Sequence, residues 1–270
     1  MKKILIVTTF SDLSVPFFLA QSVRKDVAVD IVFYNDGWTL LQAYLAQRQY
    51  DSVYLRDPFN DKVDQSESKE IVRGIGTMFP ESYFVDHVRD FDDILCEDKW
   101  RQFQEYGAFM PKTEILRNPH DIAVGRTIAK KRLSSRARGI VMTAADFPRE
   151  DSVDDYVLQE CIAVDREFRV YVICGDIMPT VSIKSPKTAT QKVAVVGHEK
   201  ISPDLMAYVQ KLVVQIPYDF VGLDIVQRGA VFYLLEVNRS CLFNGYFAQT
   251  GVNLAHVFVE KMIKKALMPN

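Results

Sequence analysis

Between Val221 and Asn238 two apolar, strand-like runs meet at Arg228-Gly229-Ala230 and carry three oxygen-bearing side chains, Asp224, Glu236 and Asn238. Glu236 and Asn238 stand two apart, so the period of a strand sends them to one face. Asp224 lies on the strand that would pair with them. Two carboxylates and an amide converging on one face of a hairpin form a hard, oxygen-rich site suited to Mg²⁺ with phosphate oxygens. A carboxylate within an apolar strand is costly unless it is paired or metal-bound. Leu223, Ile225, Leu235 and Val237 bracket these residues tightly, which weighs against a merely polar outer face. A shared metal also demands a register in which Asp224 opposes Glu236. That requires a three-residue turn at Gly229, Ala230 and Val231, or a bulge that restores the same parity, because a one-residue slip sends a side chain to the other face.

The elements that must position these residues are legible in outline. Residues 3–9, 27–34 and 52–55 read as strands alternating with helices over 15–24 and 38–48, the pattern of a small parallel sheet. Gly74-Ile75-Gly76 lacks the third glycine and the preceding strand of a dinucleotide loop. Residues 91–106 read as one helix ended by Gly107. Strands follow over 127–133, 140–143 and 156–162, and a hairpin joins 168–174 to 177–183 around Gly175-Asp176. Ser202-Pro203 caps and opens a helix, and 252–267 closes the chain as an amphipathic one. The fold class expected is α/β with α+β character.

A chain of 270 residues with 48% hydrophobic and 25% charged residues describes a globular protein with a substantial core. Its net charge of −2 argues against a general nucleic-acid binder. The apolar run after Met1 is too short for a signal peptide, and no segment approaches membrane-spanning length. Cys96, Cys161, Cys174 and Cys241 show no paired spacing, so free thiols in a reducing cytoplasm are expected. His87, His120, His198 and His256 are isolated, which disfavours zinc.

Taken in chain order, these pieces resemble the ATP-grasp superfamily of carboxylate–amine ligases, from about residue 91 to the C-terminus. The segments Leu235-Glu-Val-Asn-Arg-Ser240 and Arg166-Glu-Phe-Arg-Val-Tyr-Val172 are most similar to the ligases that add amino acids to peptides and proteins, the ribosomal-protein glutamate ligase type. Gln159-Glu-Cys-Ile162 with Glu167-Phe168 is also similar to D-alanine–D-alanine ligase. The resemblance implies an ATP-grasp fold with an N-terminal α/β domain at 1–88, a nucleotide-binding subdomain at 89–163 and a metal and catalytic subdomain at 164–270.

Residue by residue, it implies Asp224, Glu236 and Asn238 as ligands of Mg²⁺, with Mn²⁺ a substitute. It places Lys99 and Lys130 on the phosphates of ATP, with Lys131 open as the alternative to Lys130. Gln159, Glu160, Cys161 and Ile162 match the hinge that meets adenine, and Glu167 matches the ribose-binding carboxylate. Arg169 matches an arginine on the transferred phosphate or the substrate carboxylate, and Arg239 and Ser240 follow where the acceptor is positioned. The phosphate loop departs from the family pattern. Only Gly139 of its glycines is kept over 134–139, leaving serine hydroxyls, Ser135 among them, and the charges of Arg136 and Arg138 to do the work of backbone N–H groups.

The reaction implied is ATP-dependent amide or peptide bond formation through an acyl phosphate, releasing ADP and phosphate. A small-molecule or peptide carboxylate and an amine would be the substrates, with no nucleic acid or membrane partner, and a homodimer is compatible with the class. A kinase that phosphorylates a small molecule and a non-catalytic nucleotide-binding module are the alternatives.

Overall fold

The computed structural model describes residues 1–58, 64–94, 97–134, 139–184 and 195–265. The chain begins with β1 (Lys2–Thr8), α1 (Val15–Leu19), β2 (Val27–Phe33), α2 (Trp38–Leu45), β3 (Ser52–Leu55), α3 (Gln65–Met78) and β4 (Tyr83–Phe84). These strands form a parallel sheet in the order β2-β1-β3-β4. The unbroken apolar run of β1 follows from burial on both faces. Leu5 and Val7 join a core with α2 and α3, and Ile4 and Ile6 join another on the opposite side. Gly74 lies inside α3, where a Cβ would come within 2.2 Å of the Trp38 ring, so it serves close packing.

Two helices, α4 (Phe91–Ile94) and α5 (Lys99–Tyr106), stand where the sequence reads as one over 91–106. Asp98 is extended, and its side chain accepts from the Trp100 N–H, so α5 starts afresh with its own cap. A second sheet, antiparallel, comprises β5 (Thr113–Ile115), β6 (Thr127–Lys131), β7 (Ile140–Val141) and β8 (Tyr156–Glu160), in the order β5-β8-β6-β7.

The third sheet is built from β9 (Arg166–Ile173), β10 (Asp176–Ile177), β11 (Thr180–Lys184), β12 (Val195–Lys200), β13 (Phe220–Arg228) and β14 (Val231–Asn238). Its order is β12-β11-β9-β13-β14, with β10 beside β9, and all pairings are antiparallel. Helix α6 (Pro203–Val213) precedes β13 and is capped by the Ser202 hydroxyl, while α7 (Asn244–Thr250) and α8 (Leu254–Lys265) follow β14. Alternation along β9 and β13 sends Phe168, Val170, Leu223 and Ile225 into a core with α6. The opposite face sends Tyr171 and Phe220 into a core shared with Ile4, Ile6 and Phe258 of α8. That shared core docks the N-terminal sheet over the face that carries Arg169 and Asp224. Among the described residues no helix is long and apolar enough to cross a membrane.

Candidate active site

Asp224 pairs directly with Glu236, and Gly222 with Asn238. The hairpin closes on a two-residue turn, Gly229-Ala230, with Arg228 opposite Val231, and not on the three-residue turn that is one of the two expected solutions. Straight pairing from that turn would oppose Asp224 to Leu235. Instead the register shifts between Asp224 and Ile225, whose partner is Leu234, so Leu235 is the extra residue of a β-bulge. The bulge restores the parity. Leu234 and Val237 go to the core, and the three oxygen-bearing side chains share the other face.

The same row continues across the sheet, with Asp224 opposite Arg169 and Arg169 opposite Ser182. The Arg169 fork grips Asp224, Nε donating to Oδ1 and Nη2 to Oδ2, each at 2.7 Å. Gly222 makes room for this, since a Cβ there would meet Cys241 Cβ at 2.9 Å and Arg169 Cδ at 3.3 Å. Lys184 Nζ lies 2.6 Å from Asp224 Oδ1 and 3.2 Å from Glu167 Oε1. Burial alone would raise the Asp224 carboxyl, but Arg169 and Lys184 outweigh it and hold it well below the usual range.

Lys99 is brought to Glu236 by a docking contact one turn further along α5. The Gln102 amide donates to the Val237 carbonyl and accepts from its N–H, both at 2.9 Å, closing the exposed edge of β14. Lys99 Nζ then lies 3.3 Å from Glu236 Oε1 and donates to the Ser134 carbonyl at 2.8 Å. The loop beyond, including Ser135, expected at the phosphates, with Arg136 and Arg138, lies outside the described residues. On β6, alternation separates the two lysines. Lys130 donates to Gln159 Oε1 at 2.6 Å, while Lys131 donates to Asp151 and lies over the Tyr156 ring. Gln159 and Ile162 are buried, Cys161 half-buried and Glu160 exposed at the end of β8. Glu167 is buried on Lys184.

A cavity of about 160 Å³ opens beside this face. Arg169, Glu236, Asn238 and Arg239 line it together with Asp12, Asp57 and Glu97. Asp12 follows β1 and Asp57 follows β3, at the carboxyl ends of parallel strands, where open sheets of this kind place their ligands. Sequence reasoning missed both, although the ends of the strands at 3–9 and 52–55 were the signal. Burial pushes the Glu97 carboxyl up to about 7; Arg239 opposes the shift, and Asp57, Glu236 and Asp86 add to it.

Arg239 is anchored by its surroundings. Its side chain is only 1% exposed, with Nε on Asp86 at 2.9 Å and Nη2 on the Leu55 carbonyl at 3.3 Å. Tyr54 donates to the Arg239 carbonyl, Arg56 to that of Cys241, and the Asp57 N–H to Ser240 Oγ. The guanidinium holds the segment after Asn238 against the end of β3, and its Nη1, 3.5 Å from Glu97 Oε1, joins the lining of the cavity.

No three His, Cys, Asp or Glu side chains converge on a point among the described residues. The metal set implied here is two carboxylates and an amide, and it fits a hard divalent cation in donor type and in its shared face. Asn238 Nδ2 lies 3.3 Å from Asp224 Oδ2, which ties the amide to the carboxylate.

No family model matches the sequence, and no curated protein does. Solved structures are similar in fold. The ATP-grasp ligase PsnB, complexed with a minimal precursor, superposes with a TM-score of 0.68 at 16% identity, over 98% of this chain and 99% of that one. The macrocyclase MdnC of Microcystis aeruginosa, bound with precursor peptide MdnA, gives 0.66 at 14% identity, over 97% and 99%. A RimK domain ATP-grasp protein from Sphaerobacter thermophilus gives 0.66 at 10% identity, again over 97% and 99%.

Proposed function

The chain has the ATP-grasp fold along nearly all of its length, and we propose that it is an ADP-forming ligase that joins a carboxylate to an amine. A substrate carboxylate oxygen attacks the γ-phosphorus of ATP, the bond to the β-phosphate oxygen breaks, and ADP leaves. The amine nitrogen then attacks the acyl phosphate carbon, phosphate departs, and the nitrogen loses a proton to give the amide. Lys99 and Lys130 hold phosphate oxygens, the hinge Gln159–Ile162 meets adenine, and Glu167 lies where ribose is bound. Arg169 orients the carboxylate or the phosphoryl group through its planar fork. Glu236, Asn238 and Asp224 would hold Mg²⁺, which neutralises phosphate charge when bound. The chain's own contribution is positioning and charge compensation.

The observation that carries this reading is the direct pairing of Asp224 with Glu236, achieved through a bulge, within reach of Lys99 and Arg169. PsnB and MdnC were each solved with a precursor or precursor peptide, which supports a peptide among the substrates here. The test is ADP release from a grid of carboxylates crossed with amino acids and peptides, with products identified by mass spectrometry. A ligase yields an amide and free phosphate only when amine is present; a phosphorylated product formed without amine would assign a kinase. Glu236→Gln should lower turnover at least ~10²-fold, about 2.7 kcal/mol of barrier. Near-wild-type ADP release by that variant would remove the metal assignment.

A further inference from the structure

Lys184, the last residue of β11, is 7% exposed and stands between two carboxylates, Asp224 and Glu167. With Arg169 on the same aspartate, both Asp224 oxygens are already engaged by cations. On this face three carboxylates, Glu167, Asp224 and Glu236, meet three cations, Lys184, Arg169 and Lys99. Formal charge is balanced before any ligand arrives. A divalent cation approaching Asp224 by itself meets an ammonium and a guanidinium that already hold its oxygens, and like charges at such distances repel strongly where water is scarce. A triphosphate changes that balance, because its oxygens offer both cations an alternative partner. Of the two, Lys184 is the better suited to leave. It is a compact charge on a flexible stem, whereas Arg169 is fixed by a two-bond fork. It also stands at an irregularity in the β11–β12 ladder, where the register shifts between Ile183 and Lys184, a setting in which side chains are re-aimed.

We propose that Lys184 is a displaceable internal counter-ion: it reserves Asp224 until nucleotide phosphate draws it away, so that a divalent metal gains Asp224 only together with nucleotide. This rests on the ATP-dependent reading of the site. Metal and nucleotide are then positively coupled, by the same factor in either order. Neutralising Lys184 should improve metal binding in the absence of nucleotide while weakening the coupling, a change of opposite sign to the loss expected from any simple phosphate-binding lysine.

The experiment measures Mn²⁺ binding by electron paramagnetic resonance, with and without a non-hydrolysable ATP analogue, for the wild type and for Lys184→Met and Lys184→Gln. Each variant is checked for a cooperative melting transition. In the wild type, the analogue should tighten Mn²⁺ binding to the protein at least tenfold beyond the analogue's own chelation of Mn²⁺, measured without protein. The neutral variants should bind Mn²⁺ without nucleotide about fivefold tighter than the wild type, and the analogue should then add less than threefold. Coupling below twofold in the wild type would overturn the proposal without recourse to any variant. Coupled binding in the wild type with unchanged variants would overturn it while leaving the ligase reading intact. A wild type that binds no analogue at any Mn²⁺ concentration would remove the ATP reading and this proposal with it.

Discussion

Gly222 offers the sharpest separation of stability from function in this site. It is buried in β13, opposite Asn238 and Tyr171. A Cβ added there would stand 2.9 Å from Cys241 Cβ, 3.1 Å from its Sγ and 3.3 Å from Arg169 Cδ. Gly222→Ala must therefore push the segment after Asn238, the arginine, or both. Overpacking by one methyl in a tight interior costs roughly 1–3 kcal/mol, which at about 2–4 °C per kcal/mol for a large chain lowers the melting temperature by about 2–12 °C. The Arg169 fork holds Asp224 with two 2.7 Å bonds, so a shift of a few tenths of an ångström at Cδ is felt at the guanidinium. Misplacement by about 1 Å can cost ~10²-fold in rate, and a smaller shift on the order of tenfold. Cys241→Gly in the same chain removes both Cys241 contacts and leaves only the one with Arg169. Melting by circular dichroism and ADP release should then part company: the double variant regains most of the lost stability but keeps most of the lost activity. Restoration of both together would show that Arg169 was never displaced, and a wild-type-like Gly222→Ala would refute the packing argument at its root.

Lys130→Ala should weaken nucleotide binding about tenfold, as read by calorimetry, whereas Lys131→Ala should leave it unchanged and cost only a slight loss of stability through Asp151. Glu97 carries a pH signature. Its folded-state value of about 7 lies above the ordinary 4.5, so the folded protein binds the proton more tightly; the stability this lends is fully present below about 4.5 and lost as pH rises through 7. Glu97→Gln should flatten the melting temperature across that window and raise it at pH 8; an unchanged slope would count against the shift. Arg239→Met leaves Asp86 buried without its cation and should cost about 3–5 kcal/mol in denaturant unfolding.

The sequence spoke most clearly where burial and periodicity agree. The strand at 52–55 coincides with β3, and the Ser202-Pro203 start coincides with α6, because each has an unambiguous local signal. Helix α7 went unread: its first position follows Phe243, which supplies no side-chain cap, and it spans only Asn244–Thr250. The split at Asp98 was missed because an aspartate inside an apolar-periodic stretch is a weak break until its side chain is seen to accept from Trp100. Lys184 was invisible for a different reason. It ends an ordinary strand, and the carboxylates that hold it come from β9 and β13, so only the sheet order makes it part of the site.

The hairpin shows what a sequence constrains and what it leaves free. Regular alternation would have put Leu234, Glu236 and Asn238 on one face, and Leu235 with Val237 on the other. One leucine would then have shared the polar face with Asp224, Glu236 and Asn238. Inserting Leu235 as a bulge lets Phe232, Leu234 and Val237 all pack toward the core, while Leu235 stays half-buried and Glu236 meets Asp224. Two adjacent leucines before the glutamate supply the apolar surface for this arrangement, and a two-residue turn with glycine at φ +57° completes it. A three-residue turn without a bulge satisfies the Asp224–Glu236 pairing equally well, but it strands Leu234 on the wrong side. Burial of that one side chain, worth roughly 1.5–3 kcal/mol, favours the bulge. The proposed metal site requires the pairing of the carboxylates, and the route to that pairing follows from the core.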